Sequence, residues 1–155
     1  MNGLQSSTST SSSLGEMYPQ SQRSYASPQW SRVVLVSELS QWQIDAIRKL
    51  VQLLALPCDW DSYGSPPPSE VAVKAAGRLI LDIGLDYFVS PRIVPVSGGG
   101  VQLEWRVGSR ELEIEINDEG SAEYLKSSHG KPVEEGQISL AELPLTRSLL
   151  TWVMT

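Results

Sequence analysis

The stretch "GGGVQLEWRVGSRELEIEIND", from Gly98 to Asp118, decides the fold. Its apolar residues alternate strictly with polar ones on both sides of "GS", Gly108–Ser109. Alternation with a period of two is the pattern of a half-buried strand, and a Gly-containing pair suits a two-residue hairpin turn. Such a turn pairs Val107 with Arg110. Trp105 then faces Leu112, Leu103 faces Ile114 and Val101 faces Ile116. Every large apolar side chain falls on one face, so the register is self-consistent; a slip of one residue would turn the whole set to water.

The opposite face is acidic. Arg106 meets Glu111, Glu104 meets Glu113 and Gln102 meets Glu115. A three-residue "DEG" turn brings Glu123 beside Glu115. Directly opposed side chains have Cβ atoms about 5 Å apart, where like charges are destabilising. Three readings of Gln102, Glu104, Glu113 and Glu115 stay open. The face is solvated and keeps the sheet soluble, it binds a partner, or its carboxylates hold a hard cation or act as an acid–base pair.

Outward from this hairpin, the period of two begins at about Ile93. It predicts four strands in succession: Arg92–Val96, Val101–Val107, Arg110–Asn117 and Ala122–Lys126. Upstream the spacing is helical. Ser40 and Gln43 form a capping box for a helix in which Ile44, Ile47, Val51 and Leu54 make an apolar stripe with Leu50 beside it. Ser69 is the expected N-cap of a second helix, buried through Ala72, Ala76, Leu79 and Ile83 and stopped at Gly84. A third helix carries Leu145, Leu149 and Trp152, with Pro144 near its first turn. The fold class expected is α+β: a four-stranded antiparallel meander with two to three helices packed on one face.

The chain has 155 residues and a net charge of −6. Ten acidic and four basic residues lie between Glu104 and Glu142, so the strand half carries the whole imbalance. With no basic stripe, direct nucleic-acid binding is not expected. The first 31 residues include ten serines and cannot supply a core. The expected organisation is a disordered tail over 1–31 and a single domain over 32–155. No run approaches the roughly 18 apolar residues of a membrane helix. The polar N-terminus lacks a signal peptide's apolar segment, and Cys58 is alone; a cytoplasmic protein is expected.

The second informative stretch is "LPCDWDSYGSPPPS", Leu56–Ser69. Asp59 and Asp61 alternate as in a calcium loop, but the pattern stops after two positions. The structural reading has Trp60 and Tyr63 plugging the end of the helix pair, Asp61 accepting backbone N–H bonds, and Gly64 taking an unusual φ. Functional residues also favour such loops. "SGGG" precedes a strand and lacks a following Gly-Lys-Ser/Thr, so it is a turn and not a phosphate cradle. His129 reads as a surface loop residue, and a Cys58–His129 dyad rests on atom type alone.

The loop "LP-x-x-WDSYG-x-PPS", with "PRIVP", "GGVQLEW" and "ELEIEI", resembles a group of small uncharacterised bacterial proteins with a WD-x-YG loop and a GGVQLEW hairpin. The resemblance spans about Leu56 to Leu125. This chain departs from the group's pattern at Ser65 and Ser97. The resemblance implies that Trp60, Asp61, Tyr63, Gly64, Gln102, Glu104 and Trp105 belong to one recurrent design, and it implies no catalytic residue.

The leading expectation is a non-enzymatic interaction or regulatory factor, with the acidic face or the Trp60–Tyr63 loop meeting a protein partner of basic character. No cofactor is expected. One alternative is a small metal-dependent enzyme using Glu104, Glu113 and Glu115 with Asp61; another is a structural accessory subunit without a discrete site.

Overall fold

The computed structural model describes residues 39–83, 89–141 and 143–155. The expected tail, the Arg32–Val36 run and the Gly84 stop lie outside these residues. Eight elements follow in order: helices α1 (Gln41–Leu53) and α2 (Glu70–Ile83), strands β1 (Arg92–Val96), β2 (Gly100–Val107), β3 (Arg110–Ile116), β4 (Ala122–Ser128) and β5 (Lys131–Ile138), and helix α3 (Leu143–Met154). The class is α+β, with one antiparallel sheet in the order β1-β2-β3-β4-β5. No helix among the described residues is long and apolar enough to cross a membrane.

The central hairpin has the register that alternation predicts. Val107 pairs with Arg110, Trp105 with Leu112, Leu103 with Ile114 and Val101 with Ile116. Gly108 takes φ +59 at the turn, a value that favours glycine. The apolar face of the sheet is buried under the helices, β1 against α1 and β2 and β3 against α2 and α3, with Leu103, Leu112, Ile114 and Ile116 sealed from solvent. Trp105 is 2% exposed, and its indole N–H donates to the Val89 carbonyl at 3.1 Å.

The sheet has five strands, not four. β5, "KPVEEGQI", is polar on both faces, and only Ile138 is buried. It has no apolar alternation because it is an edge strand, held by backbone pairing to β4. A bulge between Lys126 and Ser127 accommodates Pro132 opposite Ser127. β1, the other edge, carries Pro95. Proline withholds an N–H from a ladder and discourages a further strand, so both edges are protected against pairing with another chain. His129 sits in the turn between β4 and β5, exposed as expected, with φ +53.

The capping box of α1 forms. The Ser40 N–H donates to Gln43 Oε1 at 3.0 Å. The core-facing side is different from the expected stripe: Gln43, Ala46, Leu50 and Leu53 are buried, while Val51 is 58% exposed and Leu54 38%. Each buried position precedes a stripe residue by one, a rotation of about 100°. Ala46 permits close approach, and the Gln43 amide donates to the Ile80 carbonyl on α2 at 3.1 Å. Helix α2 has the expected face, with Ala72, Ala76, Leu79 and Ile83 buried. It also has the expected cap, the Ala72 N–H donating to Ser69 Oγ at 3.0 Å.

Where the helical layer ends, Trp152 of α3 closes the core. Lys126 Nζ lies 4.6 Å from its ring centroid and the Arg110 guanidinium 5.4 Å. Arg110 also donates to the Trp152 carbonyl at 2.8 Å, placing a cation on the negative end of α3.

Candidate functional site

The outer face of the sheet gathers several glutamates among arginines, glutamines and Leu125. Alternation along the paired strands puts Glu104, Glu111, Glu113, Glu115, Glu123 and Glu135 on it, with Gln102 and Gln137. Glu113, Glu115, Glu123 and Glu135 join Gln102 and Leu125 around an open cleft of about 380 Å³. Glu135 comes from β5, the strand that lacks an apolar signature, so only the tertiary pairing adds it to the group. Glu123 was visible through the three-residue turn that sets Glu115 opposite it.

Arginine pairing divides these carboxylates. Arg92 Nη1 lies 2.9 Å from Glu104, and Arg106 Nη2 lies 3.0 Å from Glu111. Glu104 Oε1 also accepts from the Gln102 amide at 3.2 Å. Glu113, Glu115, Glu123 and Glu135 make no ion pair among the described residues. Partial burial pushes the Glu113 carboxyl up from its ordinary value; Glu104 and Glu111 beside it add to the shift, Arg106 opposes it and Glu115 adds again. Glu104 and Glu113 do face one another, but Glu104 already has its own cationic and amide partners.

The Leu56–Ser69 loop is a separate construction. Asp61 Oδ1 accepts from the N–H groups of Tyr63 at 2.9 Å and Ser65 at 3.2 Å. Its Oδ2 accepts from the hydroxyls of Ser65 at 2.6 Å and Ser97 at 3.0 Å. The Ser97 bond ties the loop to the β1–β2 turn. Asp59 Oδ1 accepts from the Gly64 N–H at 2.7 Å, and Gly64 has the expected unusual φ of +86. Asp59 and Ser62 also take φ +64, a conformation that Asp tolerates through such local bonds.

The expected plug does not form. Tyr63 is 92% exposed. Trp60 is half-buried and turned onto its own loop, its indole N–H donating to the Pro66 carbonyl at 3.0 Å. The loop closes on itself through Asp59 and Asp61, which leaves no call on its aromatic rings to fill the helix end.

The combination of Asp61 with the sheet glutamates is not supported by the geometry. Both Asp61 oxygens are occupied near the β1–β2 turn. Glu104 lies four residues along β2 from Gly100, about 13 Å at the usual strand rise. Among the described residues no three His, Cys, Asp or Glu side chains converge in a way that could hold a metal ion. Cys58 is exposed on the loop.

The four bonds lower the Asp61 pKa from 3.8 to about 2, the Ser65 hydroxyl contributing most, then the Tyr63 N–H. A depressed acid contributes stability that is complete above its unfolded pKa and lost as pH falls through the folded one. The loop is therefore expected to loosen between about pH 4 and pH 2, read from the Trp60 indole resonance. Asp61→Asn should remove this acid-dependent step, and an unchanged transition in that variant would show that another group governs it.

The chain matches no family model, no curated protein and no solved structure.

Proposed function

We propose that the protein is a non-enzymatic binding factor whose outer sheet face receives a basic segment of another protein. The observation that carries this reading is the group of four glutamates around one cleft that make no ion pair among the described residues, beside two others that arginines already pair with. Like charges gathered on a sheet are mutually destabilising, and lysines or arginines from a partner would relieve that repulsion. Leu125 in the cleft offers an apolar surface to the methylene stem of such a side chain. Electrostatic complementarity of this kind sets partner choice and association rate more than it sets affinity.

The test is titration with a Lys/Arg-rich peptide, against an acidic peptide of equal length. Binding of the basic peptide is expected to weaken about tenfold or more as added salt shortens the screening length below about 10 Å. Replacing Glu113, Glu115, Glu123 and Glu135 together by Gln should abolish it and leave the fold intact. Binding indifferent to salt and to this variant would refute the reading.

A companion measurement separates it from a cation site. Glu113→Gln alone should leave stability unchanged or raise it by a few tenths of a kcal/mol, and millimolar Mn²⁺ should not shift the native melting temperature. A Mn²⁺-dependent gain that disappears in Glu113→Gln would instead mean that the folded state binds a metal there.

A further inference from the structure

The register of the sheet arranges its outer face in rows, and the arginines stand at one end of them. Directly opposed residues put Arg92, Glu104, Glu113, Leu125 and Glu135 in one row across β1 to β5. The next row toward the β3–β4 turn runs Val94, Gln102, Glu115, Glu123 and Gln137. On the other side, Arg106 and Glu111 are followed by Ser127 and Pro132. Both ion pairs of this face join such neighbours, Arg92 to Glu104 and Arg106 to Glu111. With Glu113, the two pairs line a second cleft of about 340 Å³ beside the first. The glutamates that make no ion pair among the described residues are therefore confined to β3, β4 and β5. Two strand spacings make this block about 10 Å wide, and two residues along a strand make it about 7 Å deep. Gln102 and Gln137 close the ends of one row, and the arginine pairs close the β2 side.

We propose that Arg92 and Arg106 delimit the binding face, so that it accepts a pair of basic residues at alternate positions of an extended segment and gains little from a longer basic run. The inference rests on the function proposed above and names the partner more closely. Alternate side chains of an extended segment recur about every 7 Å, so two of them match the two rows of the block, and a third falls about 14 Å away, past its edge. Further basic residues would reach Glu104 and Glu111 only by displacing an arginine from each, and would then lie beside the cation they displaced. Exposed ion pairs contribute little to stability. Like charges forced together across an interface, by contrast, reject a wrong partner. The separations involved are shorter than the screening length of about 8 Å at physiological salt, so the repulsion persists there.

Two peptides of equal length test the proposal in the full-length chain at about 0.15 M salt. One carries two lysines at alternate positions among glycines and serines, the other six lysines. The six-lysine peptide is expected to bind the native protein less than tenfold more tightly than the two-lysine peptide. Arg92→Gln with Arg106→Gln should raise the affinity for six lysines about tenfold or more, while that for two lysines changes less than threefold; this second value also checks that the variant keeps its fold. Either arginine variant alone should give part of the gain. Adding Glu104→Gln and Glu111→Gln restores the native net charge and should return the six-lysine affinity to its native value. A native preference for six lysines of tenfold or more would overturn the inference. So would a double variant that gains nothing, that gains equally for both peptides, or that keeps its gain once Glu104 and Glu111 are replaced. Failure of both peptides to bind the native protein would instead overturn the underlying reading, and the inference with it.

Discussion

Trp105→Ala is expected to destabilise the protein by about 3–5 kcal/mol, the usual range for emptying a buried aromatic site. Trp105 is sealed among the apolar residues of β2 and β3. Its indole N–H is matched by the Val89 carbonyl, so the substitution leaves both a cavity and a carbonyl without its donor. Trp105→Phe keeps most of the ring and loses the bond; it should cost less, about 1–2 kcal/mol. The check is the urea midpoint with an unchanged m-value, so that the difference reflects stability and not the compactness of the unfolded chain. A cost below about 1 kcal/mol for the alanine variant would mean that the sheet buries its other face.

Gln43→Leu is expected to cost about 1–3 kcal/mol, although it replaces a polar side chain by an apolar one of similar size in a core position. Gln43 is 1% exposed. Its Oε1 receives the Ser40 N–H at the start of α1, and its Nε2 donates to the Ile80 carbonyl on α2. One side chain therefore caps its own helix and bonds that helix to its neighbour. Leucine fills the space but leaves the Ser40 donor and the Ile80 acceptor to find other partners, and unsatisfied groups in such places carry a penalty of that size. Gln43→Glu separates the two roles. It keeps the acceptor for Ser40 and loses the donor to Ile80, so it should unfasten α1 from α2 while the first turn stays capped. Amide exchange along α1 resolves the two cases: Gln43→Leu should loosen the first turn preferentially. A stabilising effect of Gln43→Leu would show that packing outweighs both bonds.

The grouping of the sheet glutamates was legible in part. Gln102, Glu104, Glu113 and Glu115 share a face because strand side chains alternate and the hairpin turn sets the pairing, and both are written locally. Two features were not. Glu104 is paired with Arg92 across β1, so it stands apart from the unpaired group; that contact depends on how far β1 slides along β2. Glu135 enters from a strand whose residues carry no periodic signal. The loop divided in the same way. Two aspartates near a glycine announced local backbone bonds and a positive φ, but the orientation of Tyr63 depends on how the closed loop sits on the β1–β2 turn.

Local sequence determined whatever short-range chemistry specifies: the helix caps at Ser40 and Ser69, the two-residue turn at Gly108–Ser109, and the register of β2 on β3. In each case the interacting groups lie within a few residues or one hairpin, and a wrong choice would expose a row of apolar side chains or leave backbone donors unpaired. Tertiary structure alone decided the rest. The face of α1 that meets the core was chosen by the small side chain of Ala46 and the reach of the Gln43 amide to Ile80, over the more apolar stripe beside it. β5 became a strand because β4 presented an open row of backbone donors and acceptors, which a polar segment can pair with as readily as an apolar one.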